Sequence, residues 1–226
     1  MPPPSRYNEA AMARQPLRFS PDYSETRQLE DGTTVRLRLL RRDDRDRLIH
    51  GFEELSPESR YRRFFSAMPR LPEKVLDDLL DVDGWNRLAV VAFTEPDDHG
   101  VGIGRFIRLP DRPDTAEAAV AVIDSMQGRG LGKLLLIRVA RAASERGIRR
   151  FQAQVLTDNE AMVSLLHELD KTATPTIEGP VATYQLDLPQ ATREGPSTSG
   201  PLFDLLRAAG RGLQVLLERL QHHPGH

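Results

Sequence analysis

One run of the chain carries the clearest chemistry: Val120-Ala-Val-Ile-Asp-Ser-Met-Gln-Gly-Arg-Gly-Leu-Gly-Lys-Leu-Leu, ending at Leu135. It passes from an apolar stretch into a helical one through Gly128, Gly130 and Gly132. The first amides of a helix have no intrahelical partner and sit at the positive end of its macrodipole. Glycines let an anion come close to those amides. The run therefore predicts a binding turn for a phosphate or pyrophosphate, with Arg129 and Lys133 adding charge-assisted contacts. Two nucleotide motifs fail on spacing. A Walker A loop needs four residues between its first glycine and a Gly-Lys-Ser/Thr triplet, whereas three separate Gly128 from Gly132 and Leu134 follows Lys133. A dinucleotide fingerprint starting at Gly130 needs a third glycine where Leu135 stands.

The elements that must position this turn can be read from periodicity. Residues 1–25 lack any period and are rich in Pro, Ser and Arg, which predicts a flexible arm. Asp31-Gly32 marks a turn, and the alternation of Val35, Leu37 and Leu39 predicts a first strand over 33–39. Asp43 and Asp44 are placed to cap a helix carrying Leu48, Ile49, Phe52 and Leu55. Ser56-Pro57 starts another, with Tyr61, Phe64 and Phe65 expected in the core. Leu71-Pro72 opens a third short helix. Strands follow over 88–94, 101–109 and 116–124, with a loop over 110–114; Gly102 and Gly104 point to close backbone approach. A helix spans 130–147, a strand 151–156, a helix capped by Asp158 runs to about Leu169, and a last strand covers 181–188. The order predicts a mixed α/β sheet with helices on both faces. Residues 189–200 read as a linker, and 201–226 as an amphipathic helix with a short tail.

Gln127, Gly130 and Gly132 at a strand-to-helix turn resemble motif A of the GNAT superfamily of N-acetyltransferases. Asn159, Met162 and Leu165 on the next helix resemble the family's motif B. The stretch from Val35 to Asp44, continuing into Leu55 to Phe65, is similar to the bacterial Pat-like protein lysine acetyltransferases. The resemblance covers residues 28–188. It implies a GNAT fold, a mostly antiparallel sheet splayed between its fourth and fifth strands, with acetyl-CoA as co-substrate. The pantetheine arm would lie in the splay, paired with backbone at Val120 and Val122, with Ile123 nearby. Gln127, Gly128, Arg129, Gly130, Leu131, Gly132 and Lys133 would wrap the pyrophosphate, Asn159 would reach the cofactor's far arm, and Met162 would pack near it.

Acetylation of a lysine needs a neutral amine, and free lysine holds its proton to about pH 10.4. The resemblance implies Glu117, in Ala116-Glu-Ala-Ala-Val120, as the general base. The same position also suits an ordinary strand-end carboxylate. The family's usual tyrosine acid aligns with Leu166, and Asp170-Lys171 replaces the Gly-Phe that commonly follows. No general acid is therefore apparent, and water is a sufficient proton source for a CoA thiolate. His167 and Tyr184 are weaker candidates.

Composition limits the rest. The net charge of −2 argues against a dedicated nucleic-acid binder, and the absence of cysteine removes disulfides, a thiol nucleophile and thiolate metal sites. His222, His223 and His226 cluster in a Pro-Gly tail, and no metal is expected. No apolar run is long enough to span a bilayer, and no secretory signal is visible, so a cytoplasmic enzyme is expected. The acceptor is a protein lysine or a small amine; a non-catalytic acyl-CoA-binding module is the rival of a different class. The terminal helix is suited to docking on its own domain, to forming a homodimer, or to lying on a membrane, in that order.

Overall fold

The computed structural model describes residues 17–188, together with the backbone of 191–192 and 195–196. Eight strands form one sheet: β1 (Ser24–Gln28), β2 (Thr34–Leu39), β3 (Arg87–Thr94), β4 (His99–Leu109), β5 (Arg112–Val122), β6 (Arg150–Leu156), β7 (Thr176–Glu178) and β8 (Val181–Asp187). Their spatial order is β1-β2-β3-β4-β5-β6-β8-β7. The helices are α1 (Arg45–Glu53), α2 (Pro57–Phe64), α3 (Glu73–Leu80), α4 (Leu131–Ser144) and α5 (Glu160–Leu169). Every neighbouring pair of strands is antiparallel except β5 and β6. A parallel pair needs a long crossover, and α4 supplies it.

Strand β3 is apolar on both sides because it has helices on both sides. Leu88, Val90 and Ala92 join the main core with α4, while Ala89, Val91 and Phe93 form a second cluster against Leu48 of α1. Helix α4 lies unusually close to β4. A β-carbon at Gly104 would fall 2.9 Å from Val139 Cγ2 and 3.3 Å from Leu135 Cβ, so the bare backbone there sets the depth of α4. Two buried ion pairs tie polar backbone into this frame. Arg38 grips both oxygens of Asp44 at 2.6 Å, and Arg138 of α4 grips Glu25 of β1 at 2.7 and 3.1 Å. Arg146, just after α4, donates to the carbonyls of Phe19, Gly84 and Ala142.

Several expectations need correction. The described end of the segment read as an arm is part of the fold: Phe19 is fully buried, Tyr23 packs on it at 4.5 Å, and Ser24 begins β1. Strand β5 starts at Arg112, not 116, because Leu109 turns back onto Arg112 as a hairpin. Pro113 is tolerated there because β6 pairs only from Thr115 onward. Asn159, not Asp158, caps α5, accepting from the Met162 amide at 3.2 Å. Asp44 uses its carboxylate on Arg38 and the Arg41 amide instead of capping α1. The aromatic face of α2 is not core, for Tyr61 and Phe65 are exposed and only Phe64 meets another ring, Phe52, at 5.8 Å. Within the segment read as a linker, Ala191–Thr192 and Gly195–Pro196 pair antiparallel. The terminal helix, its proposed homodimer and the histidine cluster lie outside the described residues. Among the described residues no helix is long and apolar enough to cross a membrane.

Candidate active site

The sheet opens at one place. Strands β5 and β6 pair only through Thr115–Arg150, Ala116–Phe151 and Glu117–Gln152. Beyond Glu117, β5 stays paired with β4 as far as Val122, and β6 stays paired with β8 as far as Leu156. One edge of β5, from Ala118 onward, therefore faces a gap. An unpaired strand edge is a template for an extended chain that carries donors and acceptors. Val120 and Val122 lie on this edge with side chains half-buried against the α4 core, and buried Ile123 ends it.

The gap leads into the glycine turn. After a single 3-10 turn at Asp124–Met126, Gly128 and Gly130 take positive φ angles of 72° and 82°. Other L-residues pay about 1–2 kcal/mol in that region. Gly130 is the residue before α4, and no side chain caps the helix there. The first turn of α4 also carries no acidic residue. Its free amides and positive dipole end are left for an outside anion. Leu131 is buried under the helix, so only its amide faces the turn. A β-carbon at Gly132 would make ordinary contacts, 3.8 Å from Val122 Cγ2 and 4.0 Å from Leu165 Cδ2. Arg129 pairs with Asp31 at 2.8 Å and Lys133 with Glu168 at 2.8 Å. Both cations are partly exposed and can exchange these carboxylates for phosphate oxygens.

Gln127 has a more structural place than its motif suggests. Its side-chain amide donates to Val122 O at 3.0 Å and to Ser59 Oγ at 3.1 Å. Ser59 Oγ donates to Asp124 at 3.0 Å, and the Ser56 amide donates to the same carboxylate at 2.9 Å. Burial opposes ionisation of Asp124, but these donors outweigh it and hold its pKa low. The glycine turn is thereby latched to the N-terminus of α2. Sequence reasoning missed Ser59 and Asp124, because the contact joins residues more than sixty apart and no local pattern announces it. Asn159 spends its carbonyl oxygen on the α5 cap, and half-buried Met162 packs on the main core.

Glu117 is the last β5 residue paired on both sides, between Ile107 of β4 and Gln152 of β6. Its exposed side chain shares a strand face with Ala119 and Ala121, opposite Ala118 and Val120. Ala119 and Ala121 line a largely apolar cavity roofed by α1 and α2, which Phe52, Leu55 and Phe64 also line. Four charged residues also line it: Asp44 and Arg47, which pair with each other at 3.3 Å, and Arg63 of α2 and Arg105 of β4, which have no carboxylate partner among the described residues. Burial and repulsion from Arg105 pull the Arg63 pKa down to about 10, and Glu117 partly offsets them. Burial and the charge of Arg87 likewise lower that of Arg105. The tyrosine-aligned Leu166 is fully buried, while His167 meets Tyr184 edge-on at 5.7 Å.

Comparison with known proteins fits this geometry. Residues 49–170 match the acetyltransferase (GNAT) family, over half of the chain. An acetyltransferase of Pseudomonas aeruginosa is 32% identical over 139 residues, covering 61% of this chain and 74% of that one. The acetyltransferase Pat of Mycolicibacterium smegmatis is 34% identical over 143 residues, 63% of this chain, and the match spans only 42% of the Pat sequence. The crystal structure of the GNAT domain of S. lividans PAT superposes with a TM-score of 0.68 at 33% identity, covering 77% of this chain and 99% of that domain. The chain belongs to the GNAT family of acetyltransferases.

Proposed function

We propose that this acetyl-CoA-dependent enzyme acetylates the side-chain amine of a protein lysine, with Glu117 as general base. The observation that carries the reading is the end of β5–β6 pairing at Glu117, which sets a carboxylate at the mouth of the gap. Acetyl-CoA supplies a thioester whose carbonyl carbon accepts the amine. Backbone at Val120 and Val122 would align the pantetheine arm along the free edge of β5. The amides of Gly128 to Lys133, with the side chains of Arg129 and Lys133, would hold the pyrophosphate. Gln127 keeps the turn in register through Val122 O and Ser59. Asn159 and Met162 would flank the cofactor from α5.

On the other side of β5, the acceptor ammonium gives its proton to Glu117, directly or through water. The neutral amine then forms the C–N bond as the C–S bond breaks, and the second proton leaving nitrogen passes through water to the departing thiolate. The similarity to Pat relatives supports a protein acceptor over a small amine. Replacing Glu117 by Gln is expected to cut turnover at least about 100-fold, the low end of general base catalysis, while acetyl-CoA affinity stays similar. Full turnover of E117Q across a pH series would remove Glu117 from the mechanism. Labelled acetyl-CoA incubated with lysate and an amine panel identifies the acceptor class. Label on small amines alone would overturn the protein-lysine reading.

A further inference from the structure

We infer that the acceptor carries a carboxylate close to its reactive amine, and that Arg63 binds it. On the protein-lysine reading proposed above, this means an acidic residue beside the target lysine. Arg63 makes no hydrogen bond and no ion pair among the described residues; its one neighbour of note is the Phe64 ring, 5.0 Å from its guanidinium carbon. Arg105 donates a single hydrogen bond, to the Asp78 carbonyl at 3.2 Å, and has no carboxylate within ion-pair distance either. Both side chains line the same cavity, whose other walls are apolar apart from Arg47 and Asp44, and the Asp44 carboxylate is already taken by Arg38 and Arg47. Arg105 is buried and Arg63 half-buried, whereas the other buried arginines among the described residues are matched. Arg38 has Asp44, Arg138 has Glu25, and Arg146 has three carbonyls.

Two partnerless guanidiniums that repel each other on the walls of a largely apolar cavity are stabilised when an anion joins them. The depressed pKa of Arg63 is burial and that repulsion seen as proton affinity. Glu117 only partly offsets that charge, and it is not within ion-pair distance of either arginine. The cavity lies on the Glu117 face of β5, away from α4, so an anion held there would belong to the acceptor and not to the cofactor. A carboxylate matches a guanidinium fork in a planar, bidentate way that a neutral amide does not.

The test uses the full chain, acetyl-CoA and paired lysine peptides that differ only in Asp or Glu against Asn or Gln next to the lysine, with free α-amino acids as a third arm. The wild type is expected to favour the acidic peptide at least about tenfold in kcat/KM, the value of one charged hydrogen bond at its lower range. In R63M that ratio is expected to collapse toward one, and in R63K to survive in part. Equal rates for the paired peptides in the wild type, or a preference that persists in R63M, would overturn the inference. A second readout needs no turnover: glutarate should raise the Tm of the CoA-bound wild type and not that of R63M. A rise of the same size in both proteins would also overturn it. If only free amino acids take label, and do so in an Arg63-dependent way, the carboxylate site stands and the protein-lysine reading falls.

Discussion

Replacing Glu25 by Gln tests how the edge strand β1 holds the cofactor helix in place. Glu25 receives two bonds from Arg138, one from the Tyr23 hydroxyl at 2.9 Å and one from Arg18 at 3.0 Å, while its side chain is only 9% exposed. Burial raises its pKa, but Arg138 and the hydroxyl more than reverse this and bring it from 4.5 to about 2. At about 1.4 kcal/mol per pH unit, that drop corresponds to about 3 kcal/mol of stability at neutral pH. Because the folded pKa is depressed, the contribution is complete above about pH 4.5 and is lost as the pH falls toward 2. Gln keeps the volume and one acceptor for Arg138 but cannot titrate. Urea unfolding followed by circular dichroism at pH 7, 5, 4 and 3 should therefore show E25Q about 3 kcal/mol less stable at pH 7, with the two curves converging as the pH drops. Other carboxylates titrate alike in both proteins, so the difference isolates Glu25. A gap that stays constant from pH 7 to 3, or one below about 0.5 kcal/mol at pH 7, would refute the reasoning.

Three more substitutions probe the site. Ser59→Ala removes the two hydroxyl bonds of the latch between α2 and the glycine turn, leaving the Ser56 amide on Asp124, and is expected to raise the KM for acetyl-CoA about fivefold, about 1 kcal/mol, with little change in overall stability; steady-state kinetics and a melting curve separate the two. Gly104→Ala puts a methyl group 2.9 Å from Val139 Cγ2, which should cost about 1–3 kcal/mol of stability by overpacking and weaken acetyl-CoA binding in calorimetry as α4 is pushed off β4. Asp31→Asn frees Arg129 from its exposed partner, so acetyl-CoA affinity should rise about two- to threefold in low salt and return to the wild-type value in high salt.

The parts of the molecule legible in the sequence are those governed by local chemistry. The Ser56-Pro57 start of α2 is borne out by the cap at Ser59 N, and the Asp31-Gly32 turn by Gly32 at a φ of 86°. Gly102 and Gly104 do mark close backbone approach, to Leu135 and Val139. Features decided by distant partners were not legible. Strand β1 is polar along most of its length and becomes a strand only by pairing with β2. Phe19 looks like an arm residue until Arg146 and the end of α4 close over it. The same holds for the site. The glycine turn announces itself, whereas the latch at Ser59 and the arginine pair at 63 and 105 exist only once α2 folds over β5.

The one-sided pairing of β5 also has a consequence for hydrogen exchange. Amides of β5 aimed at β4 are locked in the ladder, while those beyond Glu117 aimed at the gap have no strand to protect them. Within one strand, neighbouring residues should then exchange with deuterium at rates set by different events. The inward amides report opening of the sheet. The outward ones should exchange fast in the free protein and slow down when a pantetheine chain occupies the gap. Their protection factors would give a residue-by-residue measure of cofactor occupancy that is independent of the acceptor and of turnover.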